Sequence, residues 1–189
     1  MAERARTAGV TGDRRAALDA APPNPYGALT MTELEGYRYR GARALVLLHE
    51  RELRDFVATW RRAVAWGVTL PPTDDPDCAS ADAMARHVLS AAGRYMIWLT
   101  QRLGLPDPAI ADAPPVEEIG ARADAYLEHV LERWRTPLRD VPEARFAEAH
   151  RANWGEDFTL ESMLEHAVVH PMRHALQLEE LMGTQAHAG

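Results

Sequence analysis

The sequence predicts an all-α fold, a four-helix bundle, on three observations. Four segments repeat apolar residues every three or four positions, no segment alternates apolar and polar residues as a half-buried strand would, and no motif recurs at a fixed period. The 189 residues, 47% of them hydrophobic, suffice for one core of this kind and are short for two. The expected division is a flexible N-terminal arm over residues 1–30 and the helical bundle over residues 31–189.

The arm has no sustained apolar period and ends in Pro22, Pro23, Asn24, Pro25 and Gly27. Arg4, Arg6, Arg14 and Arg15 alternate with Glu3, Asp13 and Asp19, which suits solvation better than nucleic-acid binding. Thr32 and Glu35 have capping-box spacing, so the first helix is expected to start at Thr32, with Gly36 and Gly41 loosening its first turns. Its apolar line reads Ala42, Val46, His49, Leu53, Phe56, Trp60 and Val64, and it stops at Gly67 ahead of Pro71 and Pro72.

Ser80 is the expected N-cap of a second helix ending at Gly104, with Met84, His87, Val88, Ala91, Tyr95, Trp98 and Leu99 turned inward. Pro114 and Pro115 open a third, whose first turn holds Glu117 and Glu118, where acids complement the helix dipole. Ile119, Ala123, Tyr126, Val130 and Trp134 form its buried line. An irregular stretch from Pro137 to Phe158 leads to Thr159, the expected cap of a fourth helix reaching Gly183. The apolar beat of that helix keeps phase across Pro171, which predicts one continuous helix, kinked because proline offers no amide to the carbonyl of Ala167. The five tryptophans, Trp60, Trp66, Trp98, Trp134 and Trp154, fit core positions better than an exposed surface.

All 21 basic residues are arginine, so lysine Schiff-base chemistry and a GxxxxGK[ST] phosphate loop are excluded. A formal net charge of −7 argues against nucleic acid as a partner. The single Cys78 cannot form an intramolecular disulfide, and neither a leader pattern nor an apolar run approaching ~18 residues occurs, so a soluble cytoplasmic protein with no membrane partner is expected.

Eight histidines remain, three of them in the run His166-Ala-Val-Val-His170-Pro-Met-Arg-His174. Residues four apart share a helix face, so His170 and His174 can converge on one divalent ion. His166 is eight residues from His174, a rise of ~12 Å, and cannot share that ion with it. A third ligand is needed, and His87 is the best donor because it interrupts the apolar line of the second helix, where a desolvated imidazole needs a partner. A core histidine bonded to a carbonyl or carboxylate would satisfy the same position, and spacing alone leaves the two readings level. His49 also interrupts an apolar line, with a core role ahead. His129, His150 and His187 are expected to be solvent-exposed.

The run from Thr159 to Gln177 resembles the last helix of the DinB/YfiT-like superfamily, with its HxxxHxxQ-like pattern. Ala85-Arg86-His87-Val88-Leu89-Ser90-Ala91 resembles the metal-binding histidine segment of that family, and the resemblance spans residues 33–183. It implies a four-helix bundle in up-down-down-up order, often a homodimer, with a divalent metal, zinc or nickel, on three histidines. Residue by residue these are His87, His170 and His174. Members with assigned activities include metal-dependent thiol S-transferases using bacillithiol or mycothiol, and a mycothiol-dependent maleylpyruvate isomerase. That isomerase has Glu where this chain has His170, which argues against isomerase activity here.

Three neutral imidazoles leave a divalent ion its full charge and an open position, where a water or a thiol would be acidified. The first outcome gives a hydrolase; the second gives a transferase that uses a low-molecular-weight thiol on a small-molecule substrate, which is the expected function. A non-catalytic, metal-stabilised dimerisation bundle is the alternative of another class. Gln177, seven residues from His170, can orient a bound water or substrate, and His166 and His49 are the candidate general bases. Arg173 can hold an anionic substrate or serve only as a surface charge.

Overall fold

A computed structural model describes residues 34–188; the arm over residues 1–30 and the expected cap Thr32 lie outside the described residues. The described residues are mostly helical, with four long helices and one small two-stranded sheet.

Helix α1 runs over Arg40–Trp66, later than the capping-box spacing predicts. Leu34–Gly36 form a turn in which Gly36 takes φ +91°, a left-handed conformation that ends any helical run, so Glu35 sits in the turn and has no capping role in α1. Buried Leu34 and Tyr37 fold this turn onto the core, and the Tyr37 hydroxyl donates to the carbonyl of Arg135 at 3.0 Å. The predicted line of α1 is buried except for Val64, one turn from the end. Gly67 closes the helix at φ 72°, its amide reaching back to Ala63 and Val64.

Helix α2 covers Ala81–Leu103, and the Ser80 hydroxyl accepts from the amide of Ala83 at 3.0 Å, as its position predicts. A short 3-10 turn, Pro76–Cys78, precedes it. Helix α3, Val116–Trp134, follows the Pro114–Pro115 pair, and its whole predicted line is buried. Residues 143–147 form a second 3-10 turn.

The irregular stretch contains a hairpin that the sequence analysis does not anticipate. Strands β1, Ala149–Arg151, and β2, Asp157–Thr159, pair antiparallel with His150 opposite Phe158. Three residues are too few to display a period of two, so the pattern carries no strand signal. Gly155 turns the tip at φ 94°, and Trp154 beside it is 51% exposed, against the expected core position. Trp60, Trp98 and Trp134 are buried as expected.

Helix α4 spans Leu160–Ala188, capped by the Thr159 hydroxyl, which accepts from the amide of Ser162 at 3.0 Å. It is continuous through Pro171, as the apolar phase predicts. It also passes through Gly183, the expected terminus, and runs on to Ala188. A mid-helix glycine costs only ~1 kcal/mol, and the extra turns are tied down by Gln185, whose amide makes two hydrogen bonds to the backbone of Thr69.

Polar bonds link the helices. From α1, Tyr39 reaches Glu161 and Arg62 reaches Glu179 on α4, while Arg54 reaches Glu128 and Arg61 reaches Asp124 on α3. The Trp60 indole donates to Asp82 at the start of α2, and that of Trp134 to the carbonyl of Ala92 at 3.0 Å. Large side chains such as Phe56, Trp60, Leu99, Ile119 and Trp134 are almost fully buried, each contributing ~1.5–3 kcal/mol by leaving water. Among the described residues, no helix is long and apolar enough to cross a membrane.

Candidate metal centre

His170 and His174 occupy consecutive turns of α4, and α2 brings His87 against them from 83 residues away. One ring nitrogen from each lies within 4.8 Å of the other two, close enough to hold one metal ion. Nε2 of His87 is 3.0 Å from Nε2 of His170.

The outer rings are oriented from behind. Nδ1 of His87 is 2.8 Å from a carboxylate oxygen of Asp77, and Nδ1 of His174 is 2.8 Å from Oε1 of Gln177. Both partners are acceptors, so each Nδ1 carries a proton, and the neutral ring then has its lone pair on Nε2. A carboxylate or amide behind a ligating imidazole is the usual means of fixing its tautomer and raising its basicity. Burial, followed by the neighbouring His174 and His87, pushes the pKa of His170 down to about 2; burial also lowers that of His174, against the opposing Gln177 bond. His170 and His174 are thus held neutral, the form that binds metal. The donor set fits a divalent ion such as zinc.

The remaining expected residues fall at different distances from this cluster. His166 lies beside it, its ring 6.1 Å from that of His170 and 5.4 Å from that of Tyr95, and burial lowers its pKa. Gln177, expected as able to orient a bound water or substrate, has its side-chain oxygen on Nδ1 of His174. His49 is fully buried, stacked 3.7 Å from Trp134, and neither ring nitrogen has a hydrogen-bond partner. A group sealed in this way cannot reach a substrate, which removes it as a general base. His129 and His150 are half-buried, contrary to expectation: Nε2 of His129 accepts from the amide of Ala111 at 3.0 Å, and His150 lies edge-on to Trp98. His187 is exposed as expected.

Asp77 was not singled out from sequence. The available signal was its place in the Asp-rich loop one turn before the Ser80 cap, close to the first turns of the helix that carries His87. Trp154 was missed as a site residue because nothing in the sequence reveals the hairpin that carries it toward His166, 6.2 Å away between rings.

A cleft of about 300 Å³ opens beside His87 and His170, between the hairpin tip and helices α2 and α4. A second groove of about 410 Å³ is lined in part by Cys78, Met84 and Gln177. Burial and the Asp75 carboxylate push the Cys78 thiol up, away from thiolate. Comparison with protein-family models, with curated proteins and with solved structures yields no significant match.

Proposed function

We propose that the chain is a four-helix bundle of the DinB/YfiT-like kind, in up-down-down-up order, whose three-histidine centre serves a thiol-dependent S-transferase. The order is supported by how the polar links progress. Between α1 and α4 both partners rise together, from Tyr39–Glu161 to Arg62–Glu179, as in parallel helices. Between α1 and α3 they run oppositely, Arg54 to Glu128 and Arg61 to Asp124. The bond from Trp60, near the end of α1, to Asp82, at the start of α2, supports an antiparallel α2. Residues 104–115, at ~3.3 Å each when extended, are long enough to return along the ~35 Å of α2 before α3 begins.

The observation that carries the metal reading is the pair of acceptors, Asp77 and Gln177, set behind two histidines that converge with a third. A divalent metal, zinc or nickel, held on His87, His170 and His174 would supply Lewis acidity enough to bring a small thiol, near ~8.5 when free, to thiolate at neutral pH. Asp77 keeps His87 in the ligating tautomer, and Gln177 does the same for His174. His166, on the cleft wall, stands where it can take up the thiol proton or orient a substrate. The sulfur attacks an electrophilic carbon; an S–C bond forms and the leaving group departs with its electron pair and the proton. Cys78 lines the other groove and not the cleft beside the histidines, so in this reading the sulfur comes from a low-molecular-weight thiol cofactor.

The exposed stripe Val169, Met172 and Leu176 along α4 suits the homodimer that goes with this reading, and a cytoplasmic location supplies the thiols. The test is to incubate metal-loaded protein with bacillithiol, mycothiol, glutathione or cysteine and a chloro-dinitrobenzene electrophile. A rate above the metal-free control with at least one thiol is expected. No such rate, together with ester turnover, reassigns the centre to a hydrolase; silence in both assays leaves a non-catalytic, metal-stabilised bundle.

A further inference from the structure

The cleft beside the histidines has a composition at odds with the rest of the molecule. The chain is acidic, with 28 Asp and Glu against 21 basic residues, yet among the described residues no carboxylate lines this cleft and Arg94 does. Arg173, on the turn of α4 between His170 and His174, adds positive charge that acts on Tyr95 and His166, while Glu156 of the hairpin loop acts on His166 in the opposite sense. Tyr95 and Trp98 contribute aromatic wall from α2, and the buried indole N–H of Trp98 has no hydrogen-bond partner.

The opposite wall is Trp154. Its ring meets Phe158 edge-on at 5.6 Å and lies over His166 at 6.2 Å and 30°, which orients it at the cleft while leaving 51% of its surface exposed. Those contacts hold Trp154 at the hairpin tip and leave a large apolar face bare. A flat ring stacked on an indole gains both apolar burial and favourable ring–ring geometry. The volume, about 300 Å³, is at the lower end for small-ligand sites and admits one or two fused rings.

We propose that this cleft binds a planar aromatic or conjugated anion, its ring against Trp154 and its negative group at Arg94, and that this is the electrophilic substrate of the adjoining centre. Its role as a substrate site rests on the metal reading above; the binding itself does not. Charge selects the ligand class here: the lining groups are cationic or neutral, and an aromatic cation would meet Arg94 with no carboxylate among the described lining residues to compensate.

The test uses the full chain stripped of metal, so that a carboxylate cannot be held by an ion, with 1-naphthoate as the probe and 1-naphthalenemethanol as its neutral counterpart. Calorimetric titration is expected to show saturable binding of naphthoate. Affinity should fall about tenfold for the neutral counterpart, for Arg94→Gln and for Trp154→Ala, with Trp154→Phe recovering much of the loss. Circular dichroism confirms that each variant is folded, and Trp154 sits on an exposed tip whose truncation leaves the core intact. Equal affinity for naphthoate and the alcohol, or no change on Trp154→Ala, would overturn the proposal, as would absence of naphthoate binding to a folded wild type. Metal content is measured separately on the same wild-type protein. Naphthoate binding without metal uptake would uphold the cleft and remove the metal reading, and metal uptake without naphthoate binding would do the reverse.

Discussion

Asp77 and His49 show how differently two polar contexts treat an imidazole. Asp77 touches no ion in this account, yet it fixes the ring of His87 through Nδ1. Asp77→Ala is therefore expected to weaken metal affinity by about 10- to 100-fold while leaving the stoichiometry intact at saturating metal, readable by competition with a chromogenic chelator. His49 has no such partner, and burial alone lowers its pKa from 6.5 to about 3. The unfolded chain therefore binds a proton on His49 that the folded chain refuses throughout that interval. The stability it contributes is complete above pH 6.5 and is lost progressively as pH falls toward 3. His49→Phe, which keeps a ring against Trp134, should lose about 2 kcal/mol less stability than wild type between pH 7 and pH 5. Urea titrations of the metal-free proteins at the two pH values measure this, and equal losses would mean that His49 is not held neutral. At this scale the clustered histidines were more legible than the groups behind them. The four-residue spacing of His170 and His174 and the misfit of His87 in an apolar line are local facts, whereas the bond from Asp77 depends on how a loop folds back.

Helix boundaries were legible wherever the signal was chemical and adjacent. Ser80 and Thr159 cap as their positions predict, and Gly67 and Gly104 close their helices in the left-handed conformation that favours glycine. Boundaries failed where a distant contact decided them. The bonds of Tyr37 to Arg135 and of the Arg38 amide to Arg139 hold the turn at Gly36 ahead of α1, and the grip of Gln185 on Thr69 carries α4 past Gly183. The hairpin was invisible because its three-residue strands are held by pairing and by the packing of Phe158 on His166, neither of which leaves a sequence period. Ser80→Ala removes a single hydrogen bond at the start of the helix that carries His87 and is expected to cost ~1 kcal/mol, read as a lower urea midpoint at unchanged m-value. Recovery of the full wild-type midpoint would show that the cap is idle.

For the whole molecule, the three clustered histidines join elements far apart in the chain, so an ion held by them would couple its binding to folding. An ion that binds the folded chain alone stabilises it by about 2.7 kcal/mol at a free concentration 100 times its dissociation constant. The apolar lines of four helices made the helical class legible, because each needs a partner face to bury. They did not reveal that a cleft without carboxylates would open beside the histidines of so acidic a chain, since charge distribution in space is a property of the packed helices. The central claim, that His87, His170 and His174 hold one divalent ion, is tested most directly by elemental analysis of protein purified without chelator, alongside His174→Ala treated identically. The account predicts about one equivalent of zinc or nickel per wild-type chain and almost none in the variant. Equal metal content in the two would contradict it.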